Sequence, residues 1–235
     1  MGTIQEWNTR TYQVPLEGQI TLEGNLNIPD NPRGVVVFVH GSGSSRFSPR
    51  NQFVAQQLYQ AGLATFLMDL LTANEEQEDR YTGHLRFDIQ LLSRRVVGAT
   101  NWLLLQPGIK NLKIGYFGAS TGAAAALVAA AEHTFEIGAV VSRGGRPDLA
   151  SSALSEVRAP TLLLVGSKDT QVIELNRLAY SLLQCEKRLE IIPGASHLFE
   201  EPGTLERAAE LARDWFTDHF SASPSVASHS GPGST

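Results

Sequence analysis

The sequence predicts an α/β protein: a mostly parallel sheet of about eight strands with helices on both faces and no large lid domain. Three observations carry this expectation. From residue 34 onward, short β-rich runs alternate with longer stretches of helical period. The short runs are apolar almost throughout, as strands buried on both faces must be. No linker rich in Pro, Gly or Ser divides the chain before residue 220, so these elements belong to one domain.

The elements follow in order. TRTYQVPL (9–16) and QITLEGNLNIP (19–29) alternate apolar and polar residues and read as an antiparallel hairpin at one sheet edge. The expected core strands are VVVFVH (35–40), ATFLMDL (64–70), LKIGYFG (112–118), IGAVVS (137–142), TLLLVG (161–166) and KRLEII (187–192). Between and after them lie helical stretches at 48–62, 86–106, 120–133, 172–184 and 203–220. Leu70 to His84 reads as a long acidic loop, a candidate flap over a site. Arg143 to Pro160 has room for a loop and one short helix, too little for a lid. After Phe220 the residues are small and polar, so residues 1–220 form the domain and 221–235 a disordered low-complexity tail.

Composition narrows the function. With 42% hydrophobic and 18% charged residues among 235, a sizeable core is expected. A net charge of −5 and the lack of a Lys/Arg stripe argue against a nucleic-acid partner. The N-terminus lacks a basic start followed by an apolar run, and the longest apolar runs are strand-sized. A cytoplasmic protein without a membrane partner is the expectation. One cysteine, Cys185, excludes an internal disulfide and a cysteine-based metal cage. It reads as inert packing.

The chemistry gathers at strand ends. Gly118-Ala119-Ser120-Thr121-Gly122 follows a strand and opens an alanine-rich helix, the setting a G-x-S-x-G nucleophile elbow requires. The serine must occupy a sharp turn so that its hydroxyl projects above the sheet. The plainer reading, a glycine-rich turn with a capping serine, ignores the partners that follow. Asp169 lies just past TLLLVG and His197 just past KRLEII, in the order serine, acid, base. Parallel strands present their carboxyl ends together, so the three should share one edge. His197 would accept the serine proton, and Asp169 would fix the imidazole tautomer. Asp148 is the competing acid, but in RPDLASSAL it reads as a helix N-cap.

The remaining histidines fit less well. His40 precedes the serine and reads as loop-shaping. His133 and His219 lie late in helices, His84 in the long loop and His229 in the tail. The small residues of His40-Gly41-Ser42-Gly43-Ser44 let backbone approach a developing oxyanion, for which the N–H groups of Ser42 and Thr121 are the expected donors. A phosphate loop is excluded, since neither G-x-G-x-x-G nor a Walker pattern is present. Arg143 follows a strand end beside two glycines and is a candidate contact for an anionic substrate group. Pairing with Asp148 or the acidic loop is its alternative.

HGSGSSR, GYFGASTGAAAALVAAA, VVSRGGRPDLA and IIPGASHLFEEPG together resemble the dienelactone hydrolase-type branch of the α/β-hydrolases, over about residues 10 to 220. The resemblance implies an esterase or related acyl hydrolase with no metal and no organic cofactor. Dienelactone hydrolases proper carry a cysteine at the elbow, where this sequence has Ser120. The function expected is hydrolysis of a small carboxylic ester through an acyl-enzyme. Thioesterase or acyltransferase chemistry would use the same residues. A non-catalytic binding or scaffold protein of this fold is the rival, and the filled triad positions weigh against it. Substrate identity and oligomeric state are left open.

Overall fold

All five residues of β3 (Val35–Val39) are buried, and alternation divides them between two cores. Val35, Val37 and Val39 enter one, Val36 and Phe38 the other. A strand dry on both sides belongs inside a sheet covered on both faces. The computed structural model describes Trp7, residues 9–132 and residues 137–221. Among these residues the strands form one eight-stranded sheet. Its other members are β1 (Arg10–Pro15), β2 (Thr21–Asn27), β4 (Ala64–Met68), β5 (Ile114–Ala119), β6 (Ile137–Arg143), β7 (Thr161–Gly166) and β8 (Lys187–Ile192).

The spatial order is β1-β2-β4-β3-β5-β6-β7-β8. β1 and β2 are the expected antiparallel hairpin, and β2 joins β4 antiparallel. From β4 across to β8 every pairing is parallel, so the carboxyl ends of β3 to β8 line one edge. This is the α/β-hydrolase fold, without a large lid among the described residues.

Helices cover both faces. α1 (Pro49–Gln60) starts on an Ser48 cap with Pro49 in its first turn, and α2 (Ala73–Thr82) lies near the carboxyl edge. α3 (Ile89–Leu103) opens on Asp88, which accepts from Leu91 N–H at 2.9 Å. α4 (Thr121–Glu132), α5 (Thr170–Leu182) and α6 (Thr204–Ser221) complete the set. α3 and α4 supply one core, and α1 and α6 the other. Every residue of α4 from Thr121 to Ala129 is buried, and its alanines let it press close against the sheet.

The segment expected as a loop at 70–84 differs: it contains α2. That helix has no apolar stripe, so periodicity does not reveal it, but its ends carry local signals. Thr72 and Glu75 form a reciprocal capping box, and Gly83 closes the helix in the left-handed conformation. Residues Pro147–Glu156 form a short 3-10 segment in place of a lid. α6 ends at Ser221, one residue past the expected domain end, while the tail beyond it, His133 and His229 lie outside the described residues.

Candidate active site

β5 ends at Ala119 and α4 begins at Thr121, so a single residue turns the chain. Ser120 does this at φ +50°, in the left-handed region that ordinary L residues rarely enter. Such strain costs on the order of 1–3 kcal/mol and survives only where the surroundings enforce it. Here the backbone is pinned on both sides. Ser120 N–H donates to Arg143 O at 3.3 Å, and Ser120 O accepts from Ala123 N–H at 3.1 Å and Arg146 N–H at 3.0 Å. The glycines are steric requirements. A Cβ on Gly122 would lie 2.2 Å from Val39 O, and one on Gly118 would lie 2.4 Å from Ala123 Cα.

Asp169 occupies the N-cap position of α5, yet its carboxylate caps nothing. Its Oδ2 lies instead 2.6 Å from Nδ1 of His197, in the loop after β8. With the carboxylate there, Nδ1 carries the ring proton and Nε2 keeps its lone pair. Ser120 and His197 abut the same short turn. Ser120 is bonded to residues 143 and 146, and between them a Cβ on Gly144 would lie 2.9 Å from His197 O and 3.7 Å from its Nδ1. Among the described residues Ser120 Oγ makes no hydrogen bond.

The two loops that carry Asp169 and His197 are clipped together by Glu201, which sequence reasoning missed. Its carboxylate accepts from Ser196 N–H at 2.9 Å and Ser196 Oγ at 3.2 Å, and receives Lys168 Nζ at 3.1 Å. The Ser196 N–H, a backbone bond at its own position and Lys168 hold this carboxyl down at about 2. Ser167 Oγ also accepts from Gly194 N–H at 2.8 Å. Nothing in local spacing announces these contacts, because they join loops brought together only by the sheet.

The expected oxyanion donors are adjacent. Ser42 N–H donates to Thr121 Oγ1 at 2.9 Å, and a Cβ on Gly41 would lie 2.9 Å from Ser120 Cβ. Thr121 is the first residue of α4, where N–H groups have no partner within the helix. His40 shapes this loop. Its Nδ1–H donates to Gly41 O at 2.9 Å, and its Nε2 accepts from Leu70 N–H at 3.2 Å. Burial, opposed by the Gly41 bond and nearby Asp69 and Glu76, leaves its pKa below the ordinary 6.5. His219 donates within α6 to Trp215 O, and His84 stands between α2 and the next turn, bonded to Thr82.

Asp148 faces elsewhere. It is not the N-cap of its 3-10 segment; both its oxygens are held by Arg146, at 2.9 and 2.8 Å. Arg143 is 6% exposed and pairs with neither Asp148 nor the acidic segment. It donates to Asn51 Oδ1 at 3.3 Å and lies over the Phe199 ring at 5.5 Å, while its buried Nε has no partner among the described residues. Burial first, and the charge of Arg50 second, lower its pKa to about 10. Asn51, from the first turn of α1, was not legible as a site residue.

Cys185 is partly buried against the core, 3.7 Å from Thr161 Oγ1. Among the described residues, no group of three or more His, Cys, Asp or Glu could hold a metal ion, and no helix is long and apolar enough to cross a membrane.

The profile of the dienelactone hydrolase family matches residues 22–223. The crystal structure of a dienelactone hydrolase from Anabaena variabilis is 60% identical, with a TM-score of 0.85 over 89% of this chain and 98% of its own. An esterase of Pyrococcus furiosus shares the fold at 16% identity and TM-score 0.71, covering 90% of this chain and 91% of its own. Two Mycobacterium tuberculosis proteins with a provisional phosphoribosyl transferase name are 55% identical over 203 residues, 86% of this chain and 45% of theirs. The chain thus spans about half the length of those curated relatives. On the extent of these matches, the chain belongs to the dienelactone hydrolase family.

Proposed function

We propose that the chain is a serine hydrolase that cleaves small carboxylic esters through an acyl-enzyme. The observation that carries this reading is the strained Ser120 turn at the edge where the Asp169–His197 pair also stands. In the proposed cycle Ser120 Oγ attacks the ester carbonyl carbon while its proton passes to His197 Nε2. The carbonyl oxygen becomes an oxyanion and takes the N–H groups of Ser42 and Thr121, the former leaving Thr121 Oγ1. Collapse breaks the bond to the alcohol oxygen, which receives the proton from His197. Water, deprotonated by the same nitrogen, then releases the acid and restores the serine.

Two further features support the substrate side. Among the described residues no large lid covers the carboxyl edge, which favours small esters over long acyl chains at an interface. Arg143, buried and without a carboxylate partner among the described residues, favours an anionic group on the substrate. A panel of short- and long-chain esters tests the reading. The expected result is turnover of short-chain esters by the wild type, with Ser120→Ala lowering kcat by several powers of ten, about 10⁶-fold at most. Full activity in a folded Ser120→Ala variant would overturn it.

A further inference from the structure

The turn between β6 and the 3-10 segment holds the nucleophile by its backbone. Arg143 O accepts from Ser120 N–H at 3.3 Å, and Arg146 N–H donates to Ser120 O at 3.0 Å. Between those two residues, Gly144 and Gly145 occupy space that no side chain can enter. A Cβ on Gly144 would lie 2.9 Å from His197 O, and one on Gly145 would lie 2.6 Å from Ala123 Cβ, in the first turn of α4. Gly144 N–H ties the turn to β7 by donating to Leu164 O at 2.8 Å. The turn therefore touches the serine, the helix that follows it and the loop of the base. Whatever holds the turn holds these in register.

A further support comes from α5. Asn176, in the middle of that helix, is fully buried. Its Nδ2 donates to Gly145 O at 3.0 Å and to Val172 O, one turn back, at 2.8 Å. Both partners are carbonyls, which only accept, so the amide nitrogen must be the atom that faces them. The Oδ1 on the other side is buried without a partner among the described residues. For packing alone this is a poor choice, since an unpaired buried oxygen costs stability and Leu has the same branched shape. What Asn supplies and Leu does not is a donor to the Gly145 carbonyl.

The same helix carries the acid. Asp169 stands at the N-cap position of α5, about two turns before Asn176, with its Oδ2 2.6 Å from His197 Nδ1. One helix thus reaches the base at its start and the nucleophile's turn from its middle. We propose that Asn176 is a positioning residue for the reaction: its bond to Gly145 O keeps the Asp169–His197 pair and Ser120 in one register. The proposal rests on the serine hydrolase reading above. Loss of the bond lets the turn shift against α5, and a displacement of about 1 Å at a reacting group costs up to about a hundredfold in rate. Asn176 is fully buried and touches no substrate, so substrate binding should change little.

The test compares wild type, Asn176→Leu and Asn176→Ser with Ala179→Gly, which weakens the same helix at a buried position and leaves the Gly145 bond intact. Leu removes the donor and keeps the shape, while the Ser hydroxyl bonds back to Val172 O and is too short for Gly145. Each protein is measured by thermal melting, by kcat and KM for the neutral ester 4-nitrophenyl acetate, and by the rate at which a fluorophosphonate modifies Ser120, all per folded molecule. Both Asn176 variants are expected to lose about tenfold to a hundredfold in kcat and in labelling rate, with KM within about twofold of wild type. Ala179→Gly is expected to melt lower yet keep both rates within about twofold of wild type. Asn176 variants whose rates match those of Ala179→Gly, or whose loss lies in KM, would overturn the positioning role alone. Failure of both Asn176 variants to fold would do the same, marking Asn176 as a residue of the core. A wild type with neither turnover nor labelling overturns the hydrolase reading and the positioning role with it.

Discussion

Asp169 Oδ2 lies 2.6 Å from His197 Nδ1, although the two residues stand at the ends of different strands and 28 positions apart. The neighbouring candidate acid, Asp148, has both oxygens engaged by Arg146. Asp169→Asn should therefore lower kcat by about 10⁴-fold, since an amide favours the wrong imidazole tautomer. Asp148→Asn should stay within about tenfold of wild type, as loss of one partly exposed pair is a small perturbation. Steady-state kinetics of the two variants side by side decide it, and a severe loss confined to Asp148→Asn would reverse the assignment.

Gly122→Ala is expected to destabilise the protein. The added Cβ would meet Val39 O at 2.2 Å and His40 O at 2.4 Å, both backbone atoms that cannot swing away. Overpacking of this kind costs about 1–3 kcal/mol, which in a chain of this size lowers Tm by about 2–12 °C. An unchanged melting curve would show that the contact of α4 with β3 yields more easily than its geometry implies.

His40 sets a pH dependence of stability. Its folded pKa lies below the unfolded 6.5, so beneath that pH the unfolded chain takes up a proton that the folded chain resists. Its contribution is complete above about pH 6.5 and is lost as the pH falls through the lowered folded value. Between about pH 7 and 5, Tm of the wild type should drop further than that of His40→Gln. Parallel curves for the two proteins would contradict this.

Arg143 is buried without a counter-charge among the described residues, and burial has already drawn its pKa to about 10. An anionic substrate group would supply that counter-charge with charge-assisted hydrogen bonds, a gain of about tenfold to a hundredfold in preference. The kcat/KM ratio for an acidic and a matched neutral ester should thus favour the acidic one in wild type and fall toward one in Arg143→Gln. Equal ratios in both proteins would make Arg143 a structural residue held by Asn51 and Phe199.

The sheet was legible because its strands are apolar almost end to end, as β3 and β7 illustrate. That Ser120, Asp169 and His197 stand past the carboxyl ends of strands was legible, because each lies in the turn or short loop after one, and parallel strands present those ends at one edge. α2 escaped detection because ANEEQEDRYT has no apolar stripe; its helix is fixed by caps and by Arg95 and Arg86 instead. Glu201 and Asn51 escaped for a different reason. Each meets its partner across separate elements, Ser196 and Lys168 in one case and Arg143 in the other, and no local spacing encodes such meetings. The Ser42–Thr121 bond was likewise invisible, since it joins loops 79 positions apart.

The central claim is that Ser120 is an activated nucleophile, and covalent labelling tests it most directly. Wild type, Ser120→Ala and His197→Ala would each be incubated with a fluorophosphonate probe, and the modified peptide mapped by mass spectrometry. Stoichiometric modification of wild type at Ser120 is expected, with none at residue 120 in Ser120→Ala and labelling of His197→Ala slowed by at least about 10³-fold. A folded wild type that stays unmodified, or one modified at another serine with equal rate in all three proteins, would contradict it.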